Sequence, residues 1–599
     1  MQLHPLDTVI IGVYLVLVVV AGVLVSRRAS RDLDSYFLGG KSIPWYLLGI
    51  SNASGMFDIT GTMWMVMLLF IYGLKSVWIP WLWPSFNQIF LMIYLAVWLR
   101  RSNVLTGAEW MRIRFGVGGG ANLAHLSVVF FALVNVVGLL AYAFQGIGKF
   151  AVLYFPASWH YCANTYAIAI MSVTAVYVVA GGMYSVVLTD LMQYVILTAV
   201  SLCVGYIAFT RATPEAIAAV VPSGWNSLFF GWHLNLYWSQ RIAEVTTKIN
   251  EDGYSLFGIF FMMMVFKGVL ASMAGPVPNY DMQRVLATRT PRDSALMSGI
   301  VSFVLLPPRY LLVAGVAVLA LLSWNSVPHA VAASMDFEQV LPFVMTHYMP
   351  VGLVGLLLAG LLAAFMSTFD STVNAGAAYL VNDLYKRYWN SNASPKTYVT
   401  MSYGASLLVV AVGMFFGARA QSINSVLQWL LGGLYGGYIA ANVLKWYWWR
   451  LNGYGYFAGM LAGLLGALAL PHLMPGVAAL NAFPLLLFAS GAVTVLTSLW
   501  TPPDEEAVLE DFYRTVRPWG FWGPIHAKVQ SEDPSFEPNR AFARDALNVF
   551  VGVAWQTSLV LVPIYLILRA WTPMCISLIV AGATMVFLKL NWYDKLEEN

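Results

Sequence analysis

Apolar segments of about 20 residues recur along almost the whole chain. A helix needs about 20 residues to cross a hydrocarbon core of about 30 Å, so each segment is long enough to span a bilayer. Of the 599 residues, 59% are hydrophobic and only 10% are charged, whereas a soluble domain carries about a quarter charged residues. The chain is therefore predicted to be an all-α polytopic membrane protein.

The apolar pattern indicates about fifteen membrane spans. They begin near residues 7, 45, 73, 122, 163, 187, 255, 294, 340, 398, 422, 455, 481, 546 and 573. An odd number places the termini on opposite sides of the membrane. With the N-terminus outside and the C-terminus in the cytoplasm, the basic loops near 27–41, 100–114, 284–292 and 386–397 all face inward, as the positive-inside rule requires. We predict the inner membrane of a bacterium.

Other simple features add little to the functional prediction. The apolar segment 9–25 lacks a basic start and a cleavage site, so we expect a retained helix rather than a signal peptide. Cys162, Cys203 and Cys575 lack the paired spacing of a metal site or disulfide framework, and we interpret them as packing residues. The net charge of +4 is small and its basic residues lie in loops, so nucleic acid is not an expected partner.

Two segments rich in charged residues and proline do not resemble membrane spans. With the N-terminus outside, the order of the spans places 211–254 outside and 501–545 inside. The second is interpreted as a cytoplasmic insert. The sequence leaves open whether this insert regulates the protein, docks a partner or packs beneath the helices.

The second apolar segment has an unusual composition for a helix that faces lipid. Its small and polar residues are Gly49, Ser51, Asn52, Ala53, Ser54, Gly55, Asp58, Thr60, Gly61 and Thr62. Non-helical backbone at this depth is tolerated only beside protein or a water-filled cavity, and a glycine-interrupted span indicates the binding site of a transporter. A packing face of small residues is the alternative, but Asn52 and Asp58 add hydrogen bonding and charge that packing does not need.

Five polar residues fall within six positions of a later apolar segment. They are Ser367, Thr368, Asp370, Ser371 and Thr372. Sodium prefers oxygen ligands, and hydroxyls, a carboxylate and carbonyls freed by a broken helix can together replace its hydration shell. A single hydroxyl usually bonds back to the preceding turn of its own helix, but this concentration favours a cation site.

Charged residues inside other spans are costly, so they indicate functional sites. Asp190 opens the sixth span, with Gln193 one turn further on. The alternative for Asp190 is an interfacial acid bonded to loop backbone. Lys267 and Arg309 are candidate functional residues for the same reason. The alternative for Arg309 is an ion pair with an acid across a helix interface.

Four passages together resemble the sodium/solute symporter family over roughly residues 6–450. They are Asp34-Ser35-Tyr36-Phe37-Leu38-Gly39-Gly40, Gly181-Gly182 through Asp190 and Gln193, Gln283-Arg284-Val285-Leu286-Ala287 with Arg289, and Ala363-Ala364 with Met366-Ser367-Thr368. Each passage alone is weak evidence. All four in family order, on the expected sides of the membrane, are specific.

The resemblance implies a leucine-transporter-type fold, in which two five-helix inverted repeats follow one extra N-terminal helix and precede about four C-terminal helices. The implied divisions are 1–44 for the N-terminal helix and its loop, 45–210 for the first repeat, 211–254 for an external loop, 255–447 for the second repeat, 448–500 for accessory helices, 501–545 for the cytoplasmic insert and 546–599 for the C-terminal helices.

The resemblance also implies sodium as the coupling ion. The common sodium site would use the backbone carbonyls of Ile50, Ala53 and Ala364 with the hydroxyls of Ser367 and Thr368. A second sodium, held by some family members, would use Asp190, Thr368 and Ser371. Asp370 stands where a small or hydroxyl residue is more usual, which leaves the number of ions open.

For the transported solute, the sequence favours a sugar or polyol. The segment 512–524 resembles the tail of sugar-carrying family members, although Phe57 stands near the usual glutamine and the region around Ser76 lacks the usual acid. The candidate solute-binding residues are Asn52, Phe57, Asp58, Trp64, Ser76, Asn87, Gln88 and Lys267. A carboxylate solute would need a positive side chain that no acid neutralises, such as Lys267 or Arg309. An amine or amino acid would need the negative charge of Asp58. These solutes, with sodium or proton coupling, stay open.

Three rival classes fit the sequence less well. A sensor built on a symporter fold would need a signalling domain, and the insert is too short for a kinase or cyclase. An enzyme would need a metal cluster or a Ser-His-Asp set, so no catalytic residue is expected. A passive channel would not need a carboxylate and hydroxyls around a broken helix. The expected partners are the solute, sodium and the lipid bilayer, and the oligomeric state is open.

Overall fold

The computed structural model describes residues 4–29, 32–79, 85–152, 161–234, 236–239, 242–256, 258, 264, 268–324, 337–420, 426, 435–474 and 479–597. Within these residues the structure is helical, with two isolated β-bridges and no strand. The predicted spans beginning near 255 and 422 fall largely outside the described residues, as does Lys267.

The helices are numbered here in chain order. The first set is α1 (Pro5–Ala29), α2 (Leu33–Leu38), α3 (Trp45–Met56), α4 (Ile59–Tyr72), α5 (Ser85–Phe90), α6 (Ala96–Arg101), α7 (Gly107–Phe115), α8 (Gly119–Ala151), α9 (Ala163–Arg211), α10 (Pro214–Val220), α11 (Ala243–Asp252), α12 (Leu270–Met273), α13 (Tyr280–Leu286) and α14 (Pro291–Ser323). The second set is α15 (Val340–Tyr348), α16 (Leu353–Ala378), α17 (Pro395–Gly417), α18 (Tyr435–Tyr447), α19 (Gly453–Leu473), α20 (Ala479–Trp500), α21 (Glu506–Val516), α22 (Gly523–Glu532), α23 (Phe542–Ile567) and α24 (Trp571–Asn591).

In the described part of the chain, nine helices are long and apolar enough to cross a membrane. They are Ile59–Trp78, Gly119–Ala151, Met183–Arg211, Pro291–Ser323, Leu353–Trp389, Pro395–Gly417, Ala482–Trp500, Phe542–Ile567 and Trp571–Lys595. The helices Pro5–Leu17 and Gly453–Ala469 are shorter apolar candidates. This pattern agrees with the predicted all-α, multi-pass membrane protein.

The predicted interruption of the second span is confirmed at Phe57 and Asp58. Helix α3 ends at Met56, and Asp58 adopts an extended conformation that begins α4. The Asp58 carboxylate accepts a hydrogen bond from the Gly61 amide at 3.0 Å, so it caps α4. The break therefore leaves backbone groups of α3 and α4 without their usual helical partners in the middle of the bundle.

Two predicted span boundaries differ from the structure. The third span was expected to start near residue 73, but 73–78 follows α4 as a 3₁₀ helix, and the next helix among the described residues begins at Ser85. The φ of 59° at Gly73 ends α4 in a conformation that favours glycine, and a Cβ there would collide with the Trp225 carbonyl. The spans predicted near 163 and 187 form one continuous helix, α9.

The extra first helix fixes the start of α16. The Asp7 carboxylate of α1 is buried and accepts hydrogen bonds from the amides of Gly352 and Gly355 at 2.8 and 2.7 Å. These amides lie at the N-terminus of α16, where an acid also interacts favourably with the helix dipole. Helix α16 packs against α9 and α8, and its predicted hydroxyl cluster is buried inside the helix bundle.

The insert 501–545 folds against the ends of the membrane helices. Its helix α21 packs on α7 and α6, and its aromatic side chains surround Arg114, which is completely buried. The guanidinium donates to the carbonyls of Lys445 and Leu451 at 3.0 and 3.1 Å and lies over the rings of Phe512 and Trp522. Packing against the helices, one of the three options for this insert, is therefore observed.

Candidate functional site

The last turn of α3 meets the hydroxyl cluster of α16 directly. The Thr368 hydroxyl lies 2.9 Å from the Gly55 carbonyl and 3.1 Å from the Ala364 carbonyl. A Cβ placed on Gly55 would lie 3.3 Å from Nη2 of Arg284 and 3.6 Å from Oγ of Ser367, so Gly55 packs closely against both side chains. Ser367 and Thr368 are both buried. The broken helix and α16 thus bring carbonyl and hydroxyl oxygens together, as a hard cation requires.

The remaining residues predicted for the first sodium lie in the same region. Ala53 and Ala364 are completely buried, and Ile50 is half-buried one turn earlier on α3. Because Thr368 uses its hydrogen to donate to a carbonyl, the lone pairs of its oxygen stay available to a cation.

Asp190 forms a buried ion pair that was not predicted from the sequence. Nη2 of Arg284 lies 3.0 Å from Oδ2 of Asp190, and the two side chains are 1% and 0% exposed. The Ser51 hydroxyl donates to the same carboxylate oxygen. Arg284, which the sequence placed in a cytoplasmic loop, instead lies on α13 inside the bundle. Asp190 is therefore a core residue and not an interfacial acid bonded to loop backbone.

Arg284 also contacts Ser371, a residue assigned by resemblance to a second sodium. Its Nη2 donates to Oγ of Ser371 at 2.8 Å, and its Nε donates to Oγ of Ser51 at 3.1 Å. Asp190 and Ser371 therefore both bind a guanidinium. The only sequence sign of this arrangement was the position of Arg284 within one of the four family passages.

A second ion pair lies at the helix break. Oδ1 of Asp58 lies 3.4 Å from Nη2 of Arg309 on α14, and the Tyr142 hydroxyl donates to Oδ2 of Asp58 at 2.8 Å. The Arg309 guanidinium also lies 5.9 Å from the centre of the Phe57 ring. The suggestion that Arg309 pairs with an acid across a helix interface is confirmed. No sequence signal pointed to Tyr142.

Glycine is required beside this pair. A Cβ on Gly61 would lie 2.5 Å from Oδ1 of Asp58 and 2.8 Å from Nη2 of Arg309. A larger residue would separate the acid from the base. Asn52, one turn before the break, is also buried and hydrogen-bonds the carboxylate of Asp281 on α13.

Unpartnered acceptor atoms gather around this region. In the part of the chain that the structure describes, Oδ1 of Asn52, Oδ1 of Asp281, Oε1 of Gln193 and Oδ1 of Asn374 are buried and accept no hydrogen bond from protein. Buried polar groups are normally satisfied by protein, water or a ligand. These oxygens are therefore available to accept hydrogen bonds from water or to bind a cation.

The other residues predicted to bind solute are not all brought to the helix break. Ser76 lies beyond the far end of α4, which at 14 residues is about 21 Å long. Its neighbour Lys75 donates to the Gly224 carbonyl at 2.8 Å. One small solute cannot contact both Asp58 and Ser76. Asn87 and Gln88 are on α5 with buried unpartnered side-chain atoms, and Trp64 is half-buried between two hydrophobic clusters.

Residues 36–463, which include the broken helix, Asp190, Arg284 and α16, match the model of the Sodium:solute symporter family. The chain belongs to the sodium:solute symporter family. Sodium is therefore the coupling cation of this symporter. The family resemblance inferred from the sequence is confirmed. It also confirms a multi-pass membrane protein.

Curated relatives of the symporter carry names of sodium cotransporters. The sodium/mannose cotransporter of Bos taurus is 25% identical over 548 residues, covering 84% of this chain and 87% of the relative. The sodium/glucose cotransporter of Vibrio parahaemolyticus is 21% identical over 541 residues, covering 84% and 91%. The sodium/myo-inositol cotransporter of Homo sapiens is 23% identical over 621 residues, covering 91% and 79%.

The symporter also resembles a solved structure, the substrate-bound outward-open state of a Na⁺-coupled sialic acid symporter. The TM-score is 0.64 at 16% identity, with 84% of this chain and 99% of that chain covered. The likeness shows the fold. The predicted leucine-transporter-type architecture is confirmed.

Proposed function

We propose that this symporter uses the sodium gradient to import a neutral, polyhydroxylated solute, a sugar or polyol, by alternating access. The choice of solute rests on the ion pair between Asp58 and Arg309 at the helix break. A carboxylate would need an uncancelled cation and an amine an uncancelled acid, whereas sugar hydroxyls can donate to the acid and accept from the base. The names of the mannose, glucose and myo-inositol cotransporters support this choice.

The proposed sodium site bridges α3 and α16. Its ligands are the carbonyls of Ile50, Ala53 and Ala364 and the hydroxyls of Ser367 and Thr368. The contact between Thr368 and the Gly55 carbonyl supports the site, because it shows α16 against the end of α3. A cation here would hold the broken helix to α16 and so favour the conformation that receives solute.

We propose one sodium per solute, because Arg284 already neutralises Asp190 and contacts Ser371. A second sodium bound by Asp190, Thr368 and Ser371 would have to displace this guanidinium. One sodium that moves down about 100 mV releases about 2.3 kcal/mol, and a tenfold concentration ratio adds about 1.4 kcal/mol. Together they support accumulation of about 500-fold.

We propose that the N-terminus lies outside and that the C-terminus and the insert lie in the cytoplasm, because the basic loops near 27–41, 100–114 and 386–397 then face inward. We also propose the inner membrane of a bacterium as the location. The solute-binding space near Asp58 would then alternate between the two sides.

Thermal unfolding of the purified protein tests coupling and solute class together. The protein is heated in sodium or potassium chloride with monosaccharides, inositols, hexuronates, amino acids or amines. A ligand at 100 times its dissociation constant stabilises by about 2.7 kcal/mol, so a neutral sugar or polyol should raise the unfolding temperature in sodium and much less in potassium.

The other results have definite meanings. A shift produced only by a carboxylate or an amine would overturn the solute class while keeping sodium coupling. A solute shift that is equal in sodium and potassium and depends on pH would replace sodium by a proton at Asp58, Asp190 or Asp370. Uptake into proteoliposomes under an inward sodium gradient then verifies transport.

A further inference from the structure

A basic cavity lies at the membrane face that carries the insert, distant from the helix break. Its volume is about 490 Å³, and it lies between α6, the start of α14, the segment 537–545 and the C-terminal residues 595–597. Its apolar wall includes Tyr94 and Trp98. A volume of this size is typical of pockets for small ligands.

Cations outnumber acids around this cavity. Six of its lining residues are basic: Arg101, Arg292, Arg517, Arg540, Arg544 and Lys595. Three are acidic: Glu537, Asp545 and Glu597. We call the cavity with these nine charged lining residues the basic pocket.

The acids leave part of this positive charge uncompensated. Glu597 lies 2.7 Å from Arg101, and Asp545 lies 3.6 Å from Arg544. Among the described residues, no carboxylate lies within ion-pair distance of Arg517 or Arg540. Both side chains are on exposed residues at the edge of the pocket, so both guanidinium groups are accessible.

The backbone holds Arg517 in a conformation that is unusual for arginine. Arg517 ends α21 with a φ of 53°, in the left-handed region that glycine usually occupies at this position. Its carbonyl accepts a hydrogen bond from Asn539 at 3.0 Å, which ties the end of α21 to the segment that contains Arg540. The two uncompensated arginines are therefore on connected segments, and the strained position favours a role for the Arg517 side chain.

Apolar surface lies beside the same pocket. Helix α23, which begins just after Arg540, exposes Phe542 and Phe550, and α24, which ends just before Lys595, exposes Val586 and Leu590. In a membrane these faces contact hydrocarbon. Basic pockets at the cytoplasmic ends of membrane helices bind the head groups of anionic lipids.

We propose that the basic pocket binds a phosphate-bearing anion through Arg517 and Arg540. Guanidinium groups recognise phosphate by paired, charge-assisted hydrogen bonds. The source is the head group of an anionic lipid or a soluble phosphate compound of the cytoplasm, and the exposed faces of α23 and α24 favour the lipid. The bound anion would join the insert and the C-terminus to α6 and α14, and so stabilise the folded transporter.

Binding to the purified, delipidated protein in detergent tests the proposal. The probes are dioctanoyl phosphatidylglycerol, dioctanoyl phosphatidylcholine as the zwitterionic lipid, and inorganic pyrophosphate as the soluble phosphate. The readouts are the unfolding temperature and the dissociation constant at low and high salt. We expect the anionic lipid to bind and stabilise, with affinity that falls as salt rises.

Two variants with the same change in charge make the test specific. Arg517→Gln with Arg540→Gln should weaken binding of the phosphate probe at least about tenfold. Arg514→Gln with Lys528→Gln removes two positive charges from the same insert outside the pocket, where the residues pair with Glu532 and Glu506, and should bind as the native protein does. Because Arg540 is exposed and unpaired, Arg540→Glu is the second test if the double variant does not fold.

Each outcome decides the question. Binding of phosphatidylglycerol alone, lost in the pocket variant, identifies a lipid site, whereas pyrophosphate binding with the same loss identifies a soluble phosphate. Absence of saturable binding by both anionic probes overturns the proposal. Equal binding by the native protein, the pocket variant and the control variant also overturns it. None of these measurements depends on transport, so the proposed solute class can fail separately.

Discussion

Nη2 of Arg284 lies 3.0 Å from Oδ2 of Asp190, in a part of the bundle where both side chains are almost fully buried. The same nitrogen lies 2.8 Å from Oγ of Ser371. One guanidinium thus joins α9, α13 and α16. This contact makes the charge of Asp190 part of the folded core rather than a free ligand.

Arg284→Gln should lower the free energy of unfolding by about 3–5 kcal/mol, because it leaves the Asp190 charge buried without its partner. Asp190→Asn combined with Arg284→Gln should cost less than the sum of the single changes. Denaturant unfolding in detergent measures both. Arg514→Gln, which breaks the exposed pair with Glu532, should cost about 0–1 kcal/mol. A cost for Arg284→Gln no larger than this control contradicts the structural role.

The ratio of sodium to solute should be one, because Arg284 occupies the neighbourhood of Asp190 and Ser371. Parallel uptake of radioactive sodium and solute into proteoliposomes measures the ratio directly. Asp190→Asn, where it folds, should leave the ratio unchanged. A ratio near two in the native protein that falls to one in Asp190→Asn would instead make Asp190 a sodium ligand and require Arg284 to move during transport.

Thr368→Val should raise the sodium concentration for half-maximal uptake at least about tenfold. The change keeps the shape of the side chain but removes an oxygen from the proposed sodium site, and an interaction with a charged group contributes about 1.5–3 kcal/mol. The matched control is Thr372→Val on the same helix, because the Thr372 hydroxyl bonds back to the Thr368 carbonyl at 2.6 Å. Equal sodium dependence in the two variants would remove Thr368 from the site.

Asp58→Asn should reduce the uptake of the neutral solute, in kcat/KM, at least about tenfold and improve the relative affinity for a carboxylate analogue. The reason is that Arg309 then carries an uncancelled charge at the helix break. Tyr142→Phe removes one hydrogen bond to Asp58 but keeps the ion pair, so its effect should correspond to about 0.5–1.5 kcal/mol with unchanged selectivity. Native uptake and selectivity in Asp58→Asn would show that the pair is remote from the solute.

Asp504 in the insert should make stability depend on pH. Burial raises the pKa of Asp504 to about 6, although Arg114 lies 3.8 Å away. The folded protein therefore holds this proton more tightly than the unfolded chain does. Its contribution is complete below about pH 4 and is lost as the pH rises through about 6.

The shift in the pKa of Asp504 corresponds to a loss of up to about 3 kcal/mol between pH 4 and pH 7. Relative to Asp504→Asn, the native insert should lose stability over this interval. Unfolding of both proteins in detergent from pH 4 to pH 7 measures the difference. Asp511→Asn, an exposed acid on α21, should follow the native protein. Parallel curves for the native protein and Asp504→Asn would contradict the assignment.

The sequence by itself determined the features that depend on local composition. Long apolar segments predicted membrane helices, and small and polar residues around Asp58 indicated an interruption of the second span. The cluster from Ser367 to Thr372 indicated where oxygen ligands would be concentrated. These signals can be read from neighbouring residues because hydrophobic length and helix-breaking composition act over about one helix.

Only the tertiary structure decided which charges meet. The pairs Asp190–Arg284 and Asp58–Arg309 join residues 94 and 251 positions apart, and no local pattern specifies such partners. The fold also separated Ser76 from Asp58 and buried Arg114 beneath the insert. The physical reason is that a buried charge requires a partner, but the helix that supplies it is selected by packing of the whole bundle.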